Sequence, residues 1–197
     1  MTPKDPVASR PRDAHKPDDY YTQPRPEMLQ YVPATSRTVL DIGCGEGVFG
    51  RELKQTVRDR QVWGIEASSR AAEAARAHLD RVLTGNVDSV LKDLPEGYFD
   101  CVVLNDVLEH LSEPESTLRN IERYLSRNGI IVCSIPNVRY LPVLFRLVLM
   151  GEWRYVESGV LDKTHLRFFT IKSIREMFEA LHYDILTVKG INRMALW

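Results

Sequence analysis

The chain has 197 residues, 44% of them hydrophobic and 27% charged, with a formal net charge of −1. That size and apolar fraction suit one α/β domain with a core of its own. The near-neutral balance gives no sign of bulk electrostatic attraction to nucleic acid or to an anionic membrane.

Residues 1–18 are proline-rich and polar and read as a disordered lead-in to a single domain over 19–197. They contain no apolar h-region, so no signal peptide is expected. Tyr20 to Tyr31 carries apolar residues that should dock onto the domain. Thr38–Ile42 reads as a buried strand, Val48–Val57 as a helix and Val62–Glu66 as a second strand. Ser69 is placed to cap an alanine-rich helix reaching Leu79. Arg81–Leu83 and Phe99–Leu104 are the third and fourth strands. Ser112-Glu-Pro-Glu115 has the form of a capping box before a helix bearing Leu118, Ile121 and Leu125. Gly129–Ile135 is the fifth strand, stopped by Pro136. Strands alternating with helices imply crossovers and a mainly parallel, doubly wound sheet covered on both faces.

Beyond Pro136 the alternation breaks. Tyr140–Met150 reads as a helix, too short to span a bilayer and interrupted by Arg146. A membrane surface or a lipid-linked acceptor could touch it, but packing against the core is the expectation. Residues 151–170 are polar and aromatic without period. Thr170 starts a helix with Ile171, Ile174, Met177, Phe178 and Leu181 on one face. Asp184–Ile191 reads as a last strand, with Met194-Ala-Leu-Trp197 at most beginning an antiparallel partner. The hairpin is therefore incomplete, and its free edge could pair with a second copy as a homodimer. Cys44, Cys101 and Cys133 each lie in an apolar run, lack metal-ligand spacing and cannot all pair, which suits a reducing, cytoplasmic setting.

The densest signal is Val39 to Gly50, VLDIGCGEGVFG. Gly45, Gly47 and Gly50 spell the dinucleotide fingerprint, and Glu66 lies near the distance expected of a ribose-binding acid. The glycine that follows the strand directly is Gly43, however, so the run is G-x-G-x-G and the fingerprint is out of register. Asp41 would repel a pyrophosphate and attract an ammonium or a sulfonium. S-adenosylmethionine (SAM) carries both cations, a ribose diol and no phosphate. A nicotinamide-dependent oxidoreductase becomes the distant alternative.

The ordered segments VLDIGCGEG, GIEAS, FDCVVLNDVLEHL and GIIVCSIPN resemble the motifs of class I SAM-dependent methyltransferases, from about Tyr20 to the C-terminus. The resemblance implies a Rossmann-like fold. It also implies that Asp41, Gly43, Cys44, Gly45 and Gly47 line the methionine end of SAM. Glu66 would hold the ribose, with Ala67 and Ser68 beside the adenine and Asn86 and Val87 at its edge. Asn105, Asp106 and Val107 would wall the site. A narrower resemblance, carried by YYTQPRPEML and LDKTHLRFFT, is to bacterial methyltransferases of glycan and O-antigen assembly. A more distant one, to MetW-type proteins, implies a non-catalytic, partner-regulating SAM-binding protein as the rival reading.

A hydroxyl acceptor needs a base, most often histidine. His110, ending NDVLEH, and His165, in DKTHLRFF, are the two candidates, and residues 151–170 are expected to form an acceptor-side lid. Against these stand a packing role for His110 and a buried turn with Asp162 and Arg167 paired around His165. Asp106, Glu109 and His110 also suggest a metal, as ubiquinone-pathway O-methyltransferases look similar at this helix. Successive helical side chains diverge, so no metal is expected. The acceptor is expected to be a small molecule or a glycan. No basic, aromatic-interleaved strip points to nucleic acid, and no stable membrane insertion is expected.

Overall fold

A computed structural model describes residues 18–191 of the chain. Its centre is one parallel sheet of five strands, β1 (Thr38–Ile42), β2 (Gln61–Glu66), β3 (Arg81–Thr84), β4 (Phe99–Asn105) and β5 (Leu125–Ser134), in the order β3-β2-β1-β4-β5. The helices are α1 (Pro26–Leu29), α2 (Val48–Thr56), α3 (Ser69–Ala75), α4 (Val87–Val90), α5 (Pro114–Ile121), α6 (Leu141–Met150) and α7 (Ile171–Ala180).

Both faces of the sheet are buried, which is why its strands read as continuous apolar runs. Leu40, Ile42, Ile65, Val102 and Leu104 pack with Leu118 and Ile121 of α5 and Met177 and Phe178 of α7. Val39, Val62, Cys101 and Val103 pack on the other side with Met28, Phe49, Leu53 and Ala75. The strand order reverses between β1 and β4, and in open α/β sheets ligands bind at such a switch point, beyond the carboxyl ends of the strands.

Several local expectations are corrected. Ser68, not Ser69, caps α3, accepting from the Ala71 N–H, and α3 ends at Ala75. The capping box before α5 does not form: Glu113 stands at the cap without a side-chain bond, and Pro114 opens the helix by its fixed φ. Leu125 opens β5 rather than closing α5, because the β4–β5 register slips between Phe99 and Cys101 and admits extra residues. Thr170 does cap α7, in a reciprocal capping box with Ser173.

Asp184–Ile191 forms no strand. Ile185 packs against the core while Leu186 is exposed, but a strand needs a backbone partner, and the described residues supply none. The sheet is therefore wholly parallel among the described residues, and the partner expected at 194–197 lies outside them. Of the lead-in expected over residues 1–18, residues 1–17 lie outside them, while Asp18 belongs to a 3-10 helix, Asp18–Thr22. The core-facing role expected for α6 fails, since none of its residues is buried. No helix among the described residues is long and apolar enough to cross a membrane.

Candidate functional site

The site is built where β1, β2 and β4 end. Asp41 is 2% exposed, and its Oδ2 has no hydrogen-bond partner. Burial, with the charge of Glu66 adding to it, pushes its carboxyl up to about 8. The turn that follows is held against β2 by two bonds, in which the Gly43 and Cys44 N–H groups donate to the Ile65 carbonyl at 2.8 and 3.1 Å. Gly43 and Gly45 have φ of 73° and 54°, values that L side chains rarely adopt. Cys44 turns inward, and Gly64 makes room for it, since a Cβ there would meet the Cys44 sulfur at 2.5 Å. Its side chain is thus core, and only its backbone faces the turn.

Glu66, at the end of β2, accepts from the Gly45 N–H at 2.9 Å and from the Ser68 N–H at 2.8 Å. Burial raises its carboxyl above the usual carboxylate range, and these N–H groups offset only part of that rise. The carboxylate therefore clamps the glycine turn and retains further lone pairs. Ala67 and Asn86 are exposed. Val87 packs into the core, so its side chain is not at the site's edge.

The turn after β4 closes the other side. Val107 Cγ2 lies 2.7 Å from where a Cβ on Gly43 would stand. The amide oxygen and nitrogen of Asn105 are both buried without partners. Asp106 has φ 53° and accepts from the Ser134 hydroxyl at 3.0 Å. It also pairs with Arg25.

A second cluster stands beside this turn. Glu109 is 1% exposed, with neither carboxylate oxygen hydrogen-bonded. Burial, then the charge of Asp106, drives its carboxyl well above the usual range. The DKTHLRFF segment folds onto it, and the Leu166 and Arg167 N–H groups both donate to the Glu109 carbonyl. His165 and His110 meet edge to face, with centroids 4.7 Å apart. His165 Nδ1 lies 3.0 Å from the Val160 carbonyl, which can only accept, so that nitrogen carries the proton. Its Nε2 lies 3.9 Å from Glu109 Oε1. His110 Nδ1 lies 3.2 Å from the Thr164 hydroxyl.

The pairing expected between Asp162 and Arg167 does not form. Asp162 accepts from the Thr164 N–H and hydroxyl, while Arg167 donates to the Ser112 carbonyl. The metal reading also changes its members, since Asp106 is engaged elsewhere. Glu109, His110 and His165 present ligand atoms all within 4.8 Å of one another. One carboxylate and two imidazoles form a donor set able to hold a divalent transition metal.

The segment from Tyr20 to Tyr31 docks on the domain as expected, but sequence reasoning did not place its start over the site. The Tyr21 carbonyl accepts from the Glu46 N–H at 2.9 Å, seating residues 18–22 on the glycine turn. The Tyr20 hydroxyl lies 3.3 Å from His110 Nε2. The Tyr20-Tyr21 pair and Arg25-Pro26 were the available signals. An aromatic pair beside a proline-fixed turn is costly to leave unpacked, but nothing local names its partner.

Comparison with known proteins agrees with this geometry. A family described as "Methyltransferase domain" matches residues 14–188. A ubiquinone biosynthesis O-methyltransferase of Nitrosomonas europaea is 27% identical over 136 residues, which are 62% of this chain and 56% of that protein. The mitochondrial ubiquinone biosynthesis O-methyltransferase of Schizosaccharomyces pombe is 30% identical over 80% of this chain and 58% of its own length. The chain thus spans little more than half of either relative. The crystal structure of a SAM-dependent methyltransferase from Archaeoglobus fulgidus superimposes with a TM-score of 0.62 at 24% identity, covering 79% of this chain and 65% of that one.

Proposed function

The chain belongs to the methyltransferase-domain family, and from that premise we propose that it moves a methyl group from SAM to a hydroxyl of a small-molecule or glycan-type acceptor. The observation that carries this reading is the partnerless, buried oxygen of Asp41 beside a glycine turn at the ligand end of a parallel sheet. An orphaned buried carboxylate is costly, and a cationic ligand group offsets that cost where a pyrophosphate would worsen it. The residues present therefore fit SAM better than a dinucleotide.

In this reading Asp41 and the backbone of Gly43, Cys44, Gly45 and Gly47 hold the methionine end, and Glu66 accepts from the ribose hydroxyls. Ala67, Ser68, Asn86 and the backbone of Val87 border the adenine, and Asn105, Asp106 and Val107 form the opposite wall. When bound, SAM supplies a methyl carbon activated by its sulfonium. The chain's own part is positioning, together with removal of the acceptor's proton. His165 is the proposed base and His110 its alternate, with residues 151–170 as the acceptor-side lid.

The relatives named as O-methyltransferases favour a hydroxyl acceptor, and their ubiquinone connection adds phenols to the glycan class for testing. The outer edge of β5, without a partner strand among the described residues, is the proposed place for a second copy. Isothermal titration with SAM and with NAD, followed by turnover on a panel of phenols and glycans, tests the reading. Binding of NAD in place of SAM sinks it. SAM binding without turnover on any acceptor moves the chain to the partner-regulating, MetW-type class.

A further inference from the structure

Helix α6 breaks the rule that an apolar helix in a folded domain is buried. Nine of its ten residues, LPVLFRLVLM, are apolar, yet none is buried. Phe145, Val148 and Leu149, spaced three and four residues apart and therefore on one face, are 59%, 75% and 68% exposed. Met150 beside them is 59% exposed. The surface continues past Gly151 into Trp153 and Tyr155, both packed against Phe168. Phe168 in turn lies 6.3 Å from His165 by ring centroids, so the apolar surface runs up to the acceptor side of the site.

Charge distinguishes the possible occupants. From Val138 to Val156 the chain has three arginines, Arg139, Arg146 and Arg154, against one acid, Glu152. All three arginines are exposed, and none is ion-paired among the described residues. A two-fold dimer through α6 would bring Arg146, at mid-helix, close to its own copy, and like charges there repel. A span is excluded by length, since ten residues rise about 15 Å, half the hydrocarbon thickness of about 30 Å. A helix that is apolar, edged with arginine and followed by tryptophan and tyrosine suits the headgroup boundary, where aromatics settle and basic side chains meet anionic lipid.

We propose that α6 and the Trp153–Tyr155 turn dock on the surface of an anionic lipid bilayer, lying in the headgroup layer with the acceptor side of the site facing the membrane. Docking of this kind is peripheral and reversible. It does not depend on which acceptor is methylated.

The test is co-sedimentation of the full chain with vesicles of phosphatidylcholine alone or mixed with phosphatidylglycerol. Binding should require phosphatidylglycerol and weaken as salt rises. Val148→Glu with Leu149→Glu should lower the partition coefficient at least tenfold, with an unchanged far-UV spectrum and melting temperature, because both sites are already in solvent. Arg139→Gln, Arg146→Gln and Arg154→Gln together should remove the preference for anionic vesicles, at roughly fivefold per arginine. The proposal is overturned if the wild-type chain ignores phosphatidylglycerol vesicles or if the double glutamate variant binds them as well. It is equally overturned if the wild type is a dimer in solution that the double variant makes monomeric, which would assign the face to a second copy.

Discussion

Arg25 and Asp106 join the N-terminal cover to the turn after β4 by an ion pair, and both hold left-handed backbones, with φ of 46° and 53°. Left-handed geometry costs a side-chain-bearing residue roughly 1–2 kcal/mol, so each position is retained against its own preference. Arg25 also lies 2.8 Å from Glu27, just inside α1. The two strained residues thus fasten residues 18–25 over the place where the cofactor is proposed to sit.

That fastening predicts a kinetic effect. Arg25→Ala should speed SAM dissociation about 5–30-fold, the range of a half-buried ion pair worth about 1–2 kcal/mol. Arg25→Gly loses the same pair but relieves the backbone, so its melting temperature should fall less. Stopped-flow release of SAM measures the first effect, and an unchanged off-rate would show that the cover does not retain the ligand.

Asp41 predicts a dependence on pH. Its carboxyl sits near 8 in the folded chain, against about 3.9 in an unfolded one. The folded state keeps the proton longer, so this group's contribution to stability is fullest below about 4 and declines as pH rises towards 8. A cationic ligand favours the ionised form and should displace that proton, so SAM binding at pH 7 should release protons from the protein. Asp41→Asn should flatten the melting temperature between pH 5 and 8, abolish this release and weaken SAM. Titration calorimetry in buffers of different ionisation enthalpy reads the release. Equal proton release by Asp41→Asn and the wild type would remove Asp41 from the site.

Two neighbouring glycines should fail in different ways. Gly43 is exposed, and a branched side chain there would reach Val107 and fill the cleft between the two turns. Gly43→Val should therefore lose SAM binding while most of the fold survives. At Gly45 an added Cβ would stand 2.4 Å from the Tyr21 carbonyl oxygen, a backbone atom that cannot rotate away. Gly45→Ala should displace residues 18–25 and cost about 1–3 kcal/mol. Limited proteolysis should then cut within that segment in Gly45→Ala and not in Gly43→Val, and identical digestion of both variants would contradict the assignment.

The parallel sheet was legible because burial on both faces leaves a composition signal in each strand, and because Asp41, the glycines and Glu66 sit at strand ends, which apolar runs locate. Asp184–Ile191 misled because alternating apolar residues describe a strand's faces and say nothing of whether a partner backbone exists. Leu141–Met150 misled for the converse reason: apolarity usually implies burial, and nothing local shows that a helix lacks a surface to pack on. The Tyr20–His110 and Arg25–Asp106 contacts join residues 90 and 81 positions apart. Only the tertiary fold brings them together.

The acceptor side yields the sharpest division of roles. His165 is proposed as base because its Nδ1 is fixed on the Val160 carbonyl, which turns Nε2 towards the cluster. His165→Ala should lower kcat about 10²–10⁴-fold, the usual weight of general-base catalysis. SAM affinity should hardly change, since the proposed cofactor contacts come from β1, β2, β3 and the turn after β4. His110 is fixed differently, between the Tyr20 hydroxyl and Thr164. Removing its ring takes a contact from the cover and another from the DKTHLRFF turn. His110→Ala should therefore lower the melting temperature and speed SAM release, with a smaller loss of kcat. Measuring kcat, SAM dissociation and melting temperature on both variants separates the two roles. If His165→Ala turns over its acceptor at the wild-type rate while His110→Ala does not, the base is His110, and the buried His165–Glu109 pair serves to hold the DKTHLRFF turn in place.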